Sequence, residues 1–80
     1  MIEVMRLSGQ DPLAFDVVIR DASGKTRHHV TLAAADFARL SAGASPERCI
    51  EAAFHFLLDR EPAQAILRRF DIGVISRNFP

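Results

Sequence analysis

The stretch AFDVVIRDASGKTRHHVTL, residues 14–32, decides the fold because it predicts a β-hairpin. One side of the first strand carries the apolar residues Phe15, Val17 and Ile19. The segment DASGK, residues 21–25, has the composition of a tight turn, and Gly24 suits a position with positive φ. The alternation of side chains then resumes over residues 26–32. We therefore predict two antiparallel strands joined by a short loop.

The register of this hairpin follows from its apolar pattern. We predict that residue 19 pairs with 26, 17 with 28, 15 with 30 and 13 with 32. One face of the hairpin is then apolar over most of its length. A slip by one residue would set Asp16 against Val30 on a mixed face, and the buried stripe would be lost.

This register separates the two adjacent histidines. His28 lies on the inner face, where we interpret it as a core-edge histidine with a hydrogen-bond partner. It could serve as a general base only if that face opened to solvent. His29 lies on the outer face, beside Arg27 and Thr31, and adjacent strand residues cannot easily hold one metal ion together.

The segments on either side of the hairpin predict one more strand and two helices. MIEVMRL, residues 1–7, is typical of a strand. AAADFARLSAG, residues 33–43, predicts a short helix for which Thr31 is a possible N-cap. SPERCIEAAFHFLLDR, residues 45–60, predicts a longer helix with Ser45 as N-cap and a proline at its first position. Its wide apolar stripe is typical of a core helix.

The C-terminal segment predicts short helical pieces. In AQAILRRF, residues 63–70, the apolar residues with helical spacing are Ala63, Ile66, Leu67 and Phe70. DIGVISRNFP, residues 71–80, predicts a last short turn capped by Asp71, with inward side chains at Ile72, Ile75 and Phe79. The fold class is α+β: a small antiparallel sheet, made of a β-hairpin plus an N-terminal strand, precedes two main helices and short C-terminal helices. We expect residues 1–80 to form a single domain.

Composition restricts the classes of function. The 80 residues carry ten basic and ten acidic side chains, so the basic excess of a nucleic-acid binder is absent. Cys49 is the single cysteine, which excludes an intramolecular disulfide and a zinc site built from cysteines. Neither a signal peptide nor a membrane span is visible, and we expect a cytoplasmic protein without a membrane partner.

The sequence contains few candidates for catalysis or metal binding. Glu51, His55 and Asp59 share one helix face at spacings of four and could contribute ligands to a metal. A solvated face with favourable side-chain pairs is the simpler interpretation. Cys49 lies on the apolar stripe, where a buried and inert thiol is expected. We predict no catalytic residue, no metal and no cofactor, and expect a protein that is not an enzyme.

Residues 29–61, HVTLAAADFARLSAGASPERCIEAAFHFLLDRE, resemble the ribbon-helix-helix family of DNA-binding proteins. A strand, a short helix, a turn with glycine and a Ser-capped longer helix follow in the same order. The resemblance implies a dimeric regulator in which Arg27, His29 and Thr31 contact bases and Ser45 holds a phosphate. The chain departs from the family because this strand already has a hairpin partner, and the balanced charge argues against nucleic acid.

A second resemblance covers about half of the chain. The segments SPERCIEAAFHFLLDREP and ILRRFDIGVISRNFP are similar to the C-terminal half of short bacterial proteins of unknown function. Those proteins share a Phe-Leu-Leu helix, an Arg-Glu-Pro break, and an Arg-Phe-Asp followed by a Phe-Pro ending. The resemblance implies a stand-alone small α+β domain and supplies no catalytic residues.

These observations favour a non-enzymatic binding module that acts through a protein partner or a homodimer. Aromatic and arginine side chains, which are common at interface hot spots, concentrate near the C-terminal end. The candidate interaction surface consists of Phe56, Arg68, Arg69, Phe70, Ile75, Arg77 and Phe79.

Overall fold

A computed structural model describes residues 1–7 and 9–78 of the chain. The strands are β1 (Ile2–Arg6), β2 (Leu13–Asp21), β3 (Gly24–Leu32) and β4 (Arg69–Asp71). The helices are α1 (Ala34–Leu40), α2 (Pro46–Leu58) and α3 (Gly73–Asn78), with a short 3-10 turn at Ala63–Ala65. The four strands form one sheet in the order β1-β2-β3-β4. The fold is therefore α+β, as predicted from the sequence.

The predicted hairpin register is confirmed. Residue 19 faces 26, 17 faces 28, 15 faces 30 and 13 faces 32. The turn is fixed locally, because the Asp21 carboxylate accepts hydrogen bonds from the Ser23 backbone N–H at 2.9 Å and from its hydroxyl at 2.7 Å. These bonds hold the pKa of Asp21 below its ordinary value. Gly24 follows with φ of +134°, a conformation that other residues rarely adopt.

The inner face of the sheet packs against the helices and forms the core. Its fully or nearly buried apolar residues are Phe15, Val17, Ile19, Val30 and Leu32 from the sheet and Ile50, Phe54 and Leu57 from α2. Ser45 caps α2 as predicted, since its hydroxyl accepts the Arg48 backbone N–H at 3.2 Å. The helix ends at Leu58, slightly before the predicted end near Arg60.

The predicted N-cap of α1 is wrong. Thr31 lies inside β3, and its hydroxyl donates to an Asp71 carboxylate oxygen at 2.6 Å. The N-cap position of α1 is Ala33, whose side chain makes no capping bond. Asp11 supplies the missing acceptor from the loop before β2, since it accepts the Ala34 backbone N–H at 3.1 Å. A distant carboxylate therefore replaces the local cap.

The prediction of a helix over residues 63–70 is also wrong. After the 3-10 turn the chain becomes extended, and residues 69–71 pair in parallel with residues 29–31 of β3. The His29 N–H donates to the Arg68 carbonyl at 2.7 Å, and the Ile72 N–H donates to the Thr31 carbonyl at 2.9 Å. Backbone bonds to β3 thus replace the bonds of a helix. The sheet is consequently mixed and not purely antiparallel.

The apolar residues between positions 63 and 72 have helical spacing, but most of them are buried without forming a helix. Ala63, Ile66 and Ile72 are buried and Phe70 packs against the core, but Leu67 is 62% exposed. An extended segment that follows a turn can bury these positions without forming a helix. Asp71 accepts the Gly73 N–H at 2.8 Å at the start of α3, so the predicted last helical turn and its capping residue are confirmed. Phe79 lies outside the described residues.

Candidate binding surface

The two faces of the sheet differ in what covers them. The buried side chains of β2 and β3 all lie on the inner face, and α1, α2 and α3 each contribute residues that pack against this core. Within residues 1–7 and 9–78, no helix is packed on the opposite face. This outer face carries the alternate residues of each strand and is open to solvent.

Basic side chains from two strands meet on the outer face. A hollow of about 310 Å³ is lined by Arg27, His29, Arg68, Arg69 and Asp16, and we call these five residues the basic cluster. Parallel pairing sets Arg69 directly beside His29. The backbone bond from His29 to the Arg68 carbonyl holds the chain there as it enters β4. Three arginine residues therefore line one hollow.

The cluster contains a single carboxylate. Asp16 faces His29 across the β2–β3 pair, and the His29 Nδ1 lies 3.3 Å from an Asp16 carboxylate oxygen. Both side chains are about one third exposed, so water screens this contact. One carboxylate balances only one of the three arginines. The basic cluster is thus a local positive region on a chain whose total charge is zero.

An apolar area adjoins the basic cluster. A second hollow, of about 280 Å³, shares Asp16 and Arg27 with the first and extends to Met5 and Val18, with Glu3 also in its lining. Met5 is 65% exposed, although a methionine side chain is mostly apolar. Together the two hollows form a shallow trough across the outer face, with an apolar end near β1 and a basic end near β4.

At the β4 border of the outer face, Asp71 stabilises the fold. Asp71 accepts the Thr31 hydroxyl with one oxygen and the Gly73 N–H with the other. A Cβ atom on Gly73 would lie 2.9 Å from the Asp71 oxygen that accepts this N–H and 3.2 Å from an oxygen of Asp36. A side chain at position 73 would therefore displace the Asp71 carboxylate from this bond, and these bonds hold β4 and the start of α3 in place.

His28 has a structural environment, as predicted from its position. It is fully buried, its ring lies 5.5 Å from that of Phe54, and its Nδ1 lies 2.8 Å from the Leu67 carbonyl oxygen. Because a carbonyl can only accept, Nδ1 carries the proton. In the neutral ring, Nε2 then accepts from the Thr26 hydroxyl at 3.0 Å. Both nitrogens are occupied, which leaves no lone pair for a substrate proton.

The other reactive candidates are not assembled into a site. Glu51 and His55 are exposed on α2, and Asp59 is exposed at the C-cap of this helix. Within residues 1–7 and 9–78, no group of three or more His, Cys, Asp or Glu side chains is placed to hold a metal ion. Cys49 is half-buried, and burial raises the pKa of its thiol. A raised pKa disfavours the reactive thiolate.

The predicted C-terminal surface is divided between different parts of the fold. Arg68 and Arg69 belong to the basic cluster on the outer face, whereas Phe70 lies on the inner side with its ring 5.9 Å from that of Phe54. Ile75 is half-buried against the core, and Arg77 is exposed on α3.

Phe56 is half-buried on α2, beneath the guanidinium of Arg60 at 3.6 Å from the ring centre. Phe79, the remaining member of the predicted surface, is outside the described residues. The predicted set therefore does not form one continuous surface among the residues that the structure describes.

The residues implied by the ribbon-helix-helix resemblance are divided as well. Arg27 and His29 lie in the basic cluster, but Thr31 is bonded to Asp71 and Ser45 caps α2. Residues 29–31 pair with β2 on one side and with β4 on the other. Their backbone has no edge left for the strand of a second chain.

Sequence reasoning missed the meeting of β3 with β4. The residues involved are 40 positions apart, so no local pattern indicates the pairing. A weak signal was present, because polar and apolar residues alternate over Arg69, Phe70, Asp71 and Ile72, which is the period of a strand. The helical spacing of residues 63–70 concealed it.

No known protein family, curated protein or solved structure matches this chain in the comparisons made. Among the helices in residues 1–7 and 9–78, none combines the length and the apolar character needed to cross a membrane.

Proposed function

We propose that this protein is a non-enzymatic binding module whose outer sheet face binds an acidic segment of a partner protein. One observation carries the proposal: three arginines, a histidine and a single carboxylate line one hollow on a face that no helix of the described residues covers. Guanidinium groups form strong, charge-assisted hydrogen bonds with carboxylates. Arginine and methionine, which both occur on this face, are also enriched at protein–protein interfaces.

The trough defines the chemistry of the partner segment more narrowly. Carboxylates would bind Arg27, Arg68 and Arg69 at the basic end. An apolar side chain would cover Met5 and Val18 at the other end. We therefore propose a segment in which a leucine-like residue precedes a run of Asp or Glu. This function needs no cofactor, and we place it in the cytoplasm.

A protein segment fits this face better than a nucleic acid. Nucleic-acid-binding sheets present aromatic side chains on which bases stack. The phenylalanines within residues 1–7 and 9–78 lie in the core, pack against it, or sit on α2, and none is on the outer face.

The function is tested by fluorescence anisotropy with a labelled peptide of one Leu followed by a run of Glu. We expect saturable binding that weakens as salt is added. The Arg27→Gln/Arg69→Gln variant should bind at least about tenfold more weakly, because each arginine contributes a charged hydrogen bond. Arg48→Gln, which removes one exposed arginine on α2, is the control for loss of a positive charge outside the basic cluster and should leave the affinity unchanged.

Two further probes separate the alternatives. A peptide with Gln in place of every Glu should not bind, and a DNA duplex should bind more weakly than the acidic peptide. Tighter binding of DNA would overturn the proposed partner class in favour of nucleic acid. Equal losses in Arg48→Gln and in the double variant would show that binding is elsewhere on the molecule, and absence of acidic-peptide binding would end the proposal.

A further inference from the structure

The strand β1 forms an open edge of the sheet. It pairs with β2 on one side, and no strand of residues 1–7 and 9–78 lies beyond it on the other. Edge strands are commonly protected by charged side chains, above all lysine, by proline, by a bulge or by being short. β1 is five residues long and carries Glu3 and Arg6, but it contains neither lysine nor proline, and its ladder to β2 runs without interruption from residue 2 to residue 6.

The backbone groups that face this edge can be identified. Met1 and Arg20 exchange two hydrogen bonds, at 2.7 and 2.8 Å, and the Leu7 N–H donates to the Ala14 carbonyl at 2.8 Å. In an antiparallel pair such hydrogen-bonded residues alternate with residues whose groups point outward. The outward groups of β1 therefore belong to Ile2, Val4 and Arg6.

We propose that β1 pairs with β1 of a second copy of this chain, so that two sheets join into one. A two-fold axis at Val4 sets Val4 against its counterpart and Ile2 against Arg6 of the other copy. Each facing pair then exchanges two backbone hydrogen bonds, and every outward group of these three residues finds a partner. A second copy fits because the strand is complementary to itself in this register.

Side chains distinguish this register from its neighbours. On the outer face it sets Glu3 of one copy against Met5 of the other, twice by symmetry. A shift that centres the axis on Glu3 would bring two carboxylates together, which is unfavourable. A shift that centres it on Met5 would leave the outward groups of Ile2 without a partner among residues 1–7. An axis at Val4 avoids the repulsion between carboxylates and leaves no outward group of Ile2 unpaired.

The dimer has a consequence for binding. In a continuous sheet the two outer faces lie on the same side, so two troughs are presented together. If the outer face binds acidic segments as proposed above, a partner with two such segments gains from multivalency. The dimer itself does not depend on that function. The contact between two five-residue strands is small, and we expect a weak, concentration-dependent dimer.

The test is the mass in solution by sedimentation equilibrium, from about ten micromolar to about one millimolar, without any peptide. We expect the wild-type mass to rise toward that of a dimer. Met5→Glu sets like charges opposite Glu3 at two symmetric places and should weaken the dimer about fivefold relative to Met5→Gln. Met5→Lys sets opposite charges there and should strengthen it by a similar factor.

Met5 is exposed, so all three variants should fold, and circular dichroism verifies that they do. Differences in mass then report on the dimer and not on folding. Opposite effects of Met5→Glu and Met5→Lys on dimer affinity support the proposed pairing. Equal weakening by both would overturn the register, since a Met5-centred dimer repels either charge. A wild-type protein that stays monomeric over the whole range would overturn the proposal, whatever the result with acidic peptide.

Discussion

His28 and His29 are neighbours in the chain but lie on opposite faces of the sheet. His28 is fully buried, and both of its ring nitrogens are hydrogen bonded within the core. His29 is partly exposed, lies beside Asp16, and shares a hollow with three arginines. The same residue type thus stabilises the fold at one position and is available to a ligand at the next. Substitutions on the inner face should change stability, and those on the outer face should change binding.

The largest effect is expected from His28→Ala. The change removes a buried ring and leaves the Leu67 carbonyl without its hydrogen-bond donor, so the free energy of unfolding should fall by about 3–5 kcal/mol. His29→Ala should change it by less than about 0.5 kcal/mol. Urea denaturation followed by circular dichroism measures both. Similar losses for the two variants would remove the distinction between the faces.

A second adjacent pair tests the same comparison in β4. Phe70 packs toward Phe54, whereas Arg69 projects into the basic cluster. Because Phe70 is only partly buried, Phe70→Ala should reduce the free energy of unfolding by about 2–3 kcal/mol. Arg69→Ala should leave it within about 0.5 kcal/mol of wild type. Denaturation curves that coincide for Phe70→Ala and wild type would mean that β4 is not anchored through this ring.

Asp71 sharpens the comparison because it is a structural residue at the border of the outer face. Asp71→Ala loses the bonds to the Thr31 hydroxyl and the Gly73 N–H, so stability should fall by about 1–2 kcal/mol. Asp16→Ala, on the same face, should cost less than about 1 kcal/mol. Thermal unfolding of both variants provides the measurement. A larger loss for Asp16→Ala would contradict the structural role assigned to Asp71.

The smallest effect is expected at the ion pair between β1 and α2. Arg6 donates to Glu47 at 2.9 Å, and this contact holds the pKa of Glu47 below its ordinary value. A carboxyl whose pKa is lowered by folding adds stability above its unfolded pKa, and that contribution is lost as the pH falls through the folded pKa. Stability should thus depend less on pH below about 4.5 in Glu47→Gln than in wild type.

Both Arg6 and Glu47 are about 41% exposed, so the pair should contribute no more than about 1 kcal/mol at neutral pH. Urea denaturation at neutral and acid pH compares the two proteins, and Arg6→Gln serves as the control because it removes the same contact from the other side. An unchanged acid dependence in both variants would show that the pair does not contribute to folding.

Local pattern was sufficient for the parts of the fold whose contacts are close in sequence. The hairpin register followed from the alternation of Phe15, Val17 and Ile19, since only one pairing gives an apolar face. The start of α2 followed from Ser45 and the proline after it. β4 could not be predicted in this way, because its residues have apolar spacing that suits a helix and its partner strand lies far back in the chain.

The candidate site was predictable only in fragments. Arg27 and His29 were singled out on β3, and Arg68 and Arg69 near the C-terminal end, but as members of two different surfaces. The parallel pairing of β3 with β4 brings all four together. That pairing is a property of the tertiary structure, so neither spacing nor composition could indicate a shared hollow.

The most direct test of the outer face as the binding surface is chemical-shift mapping by NMR of the isotope-labelled protein. The unlabelled peptide of Leu followed by Glu is added while amide and arginine side-chain signals are followed. We predict that shifts concentrate on Asp16, Val18, Arg27, His29 and Arg69, while α2 and the His28 amide change little. Shifts concentrated on the helices, with the signals of Arg27 and Arg69 unmoved, would contradict this assignment.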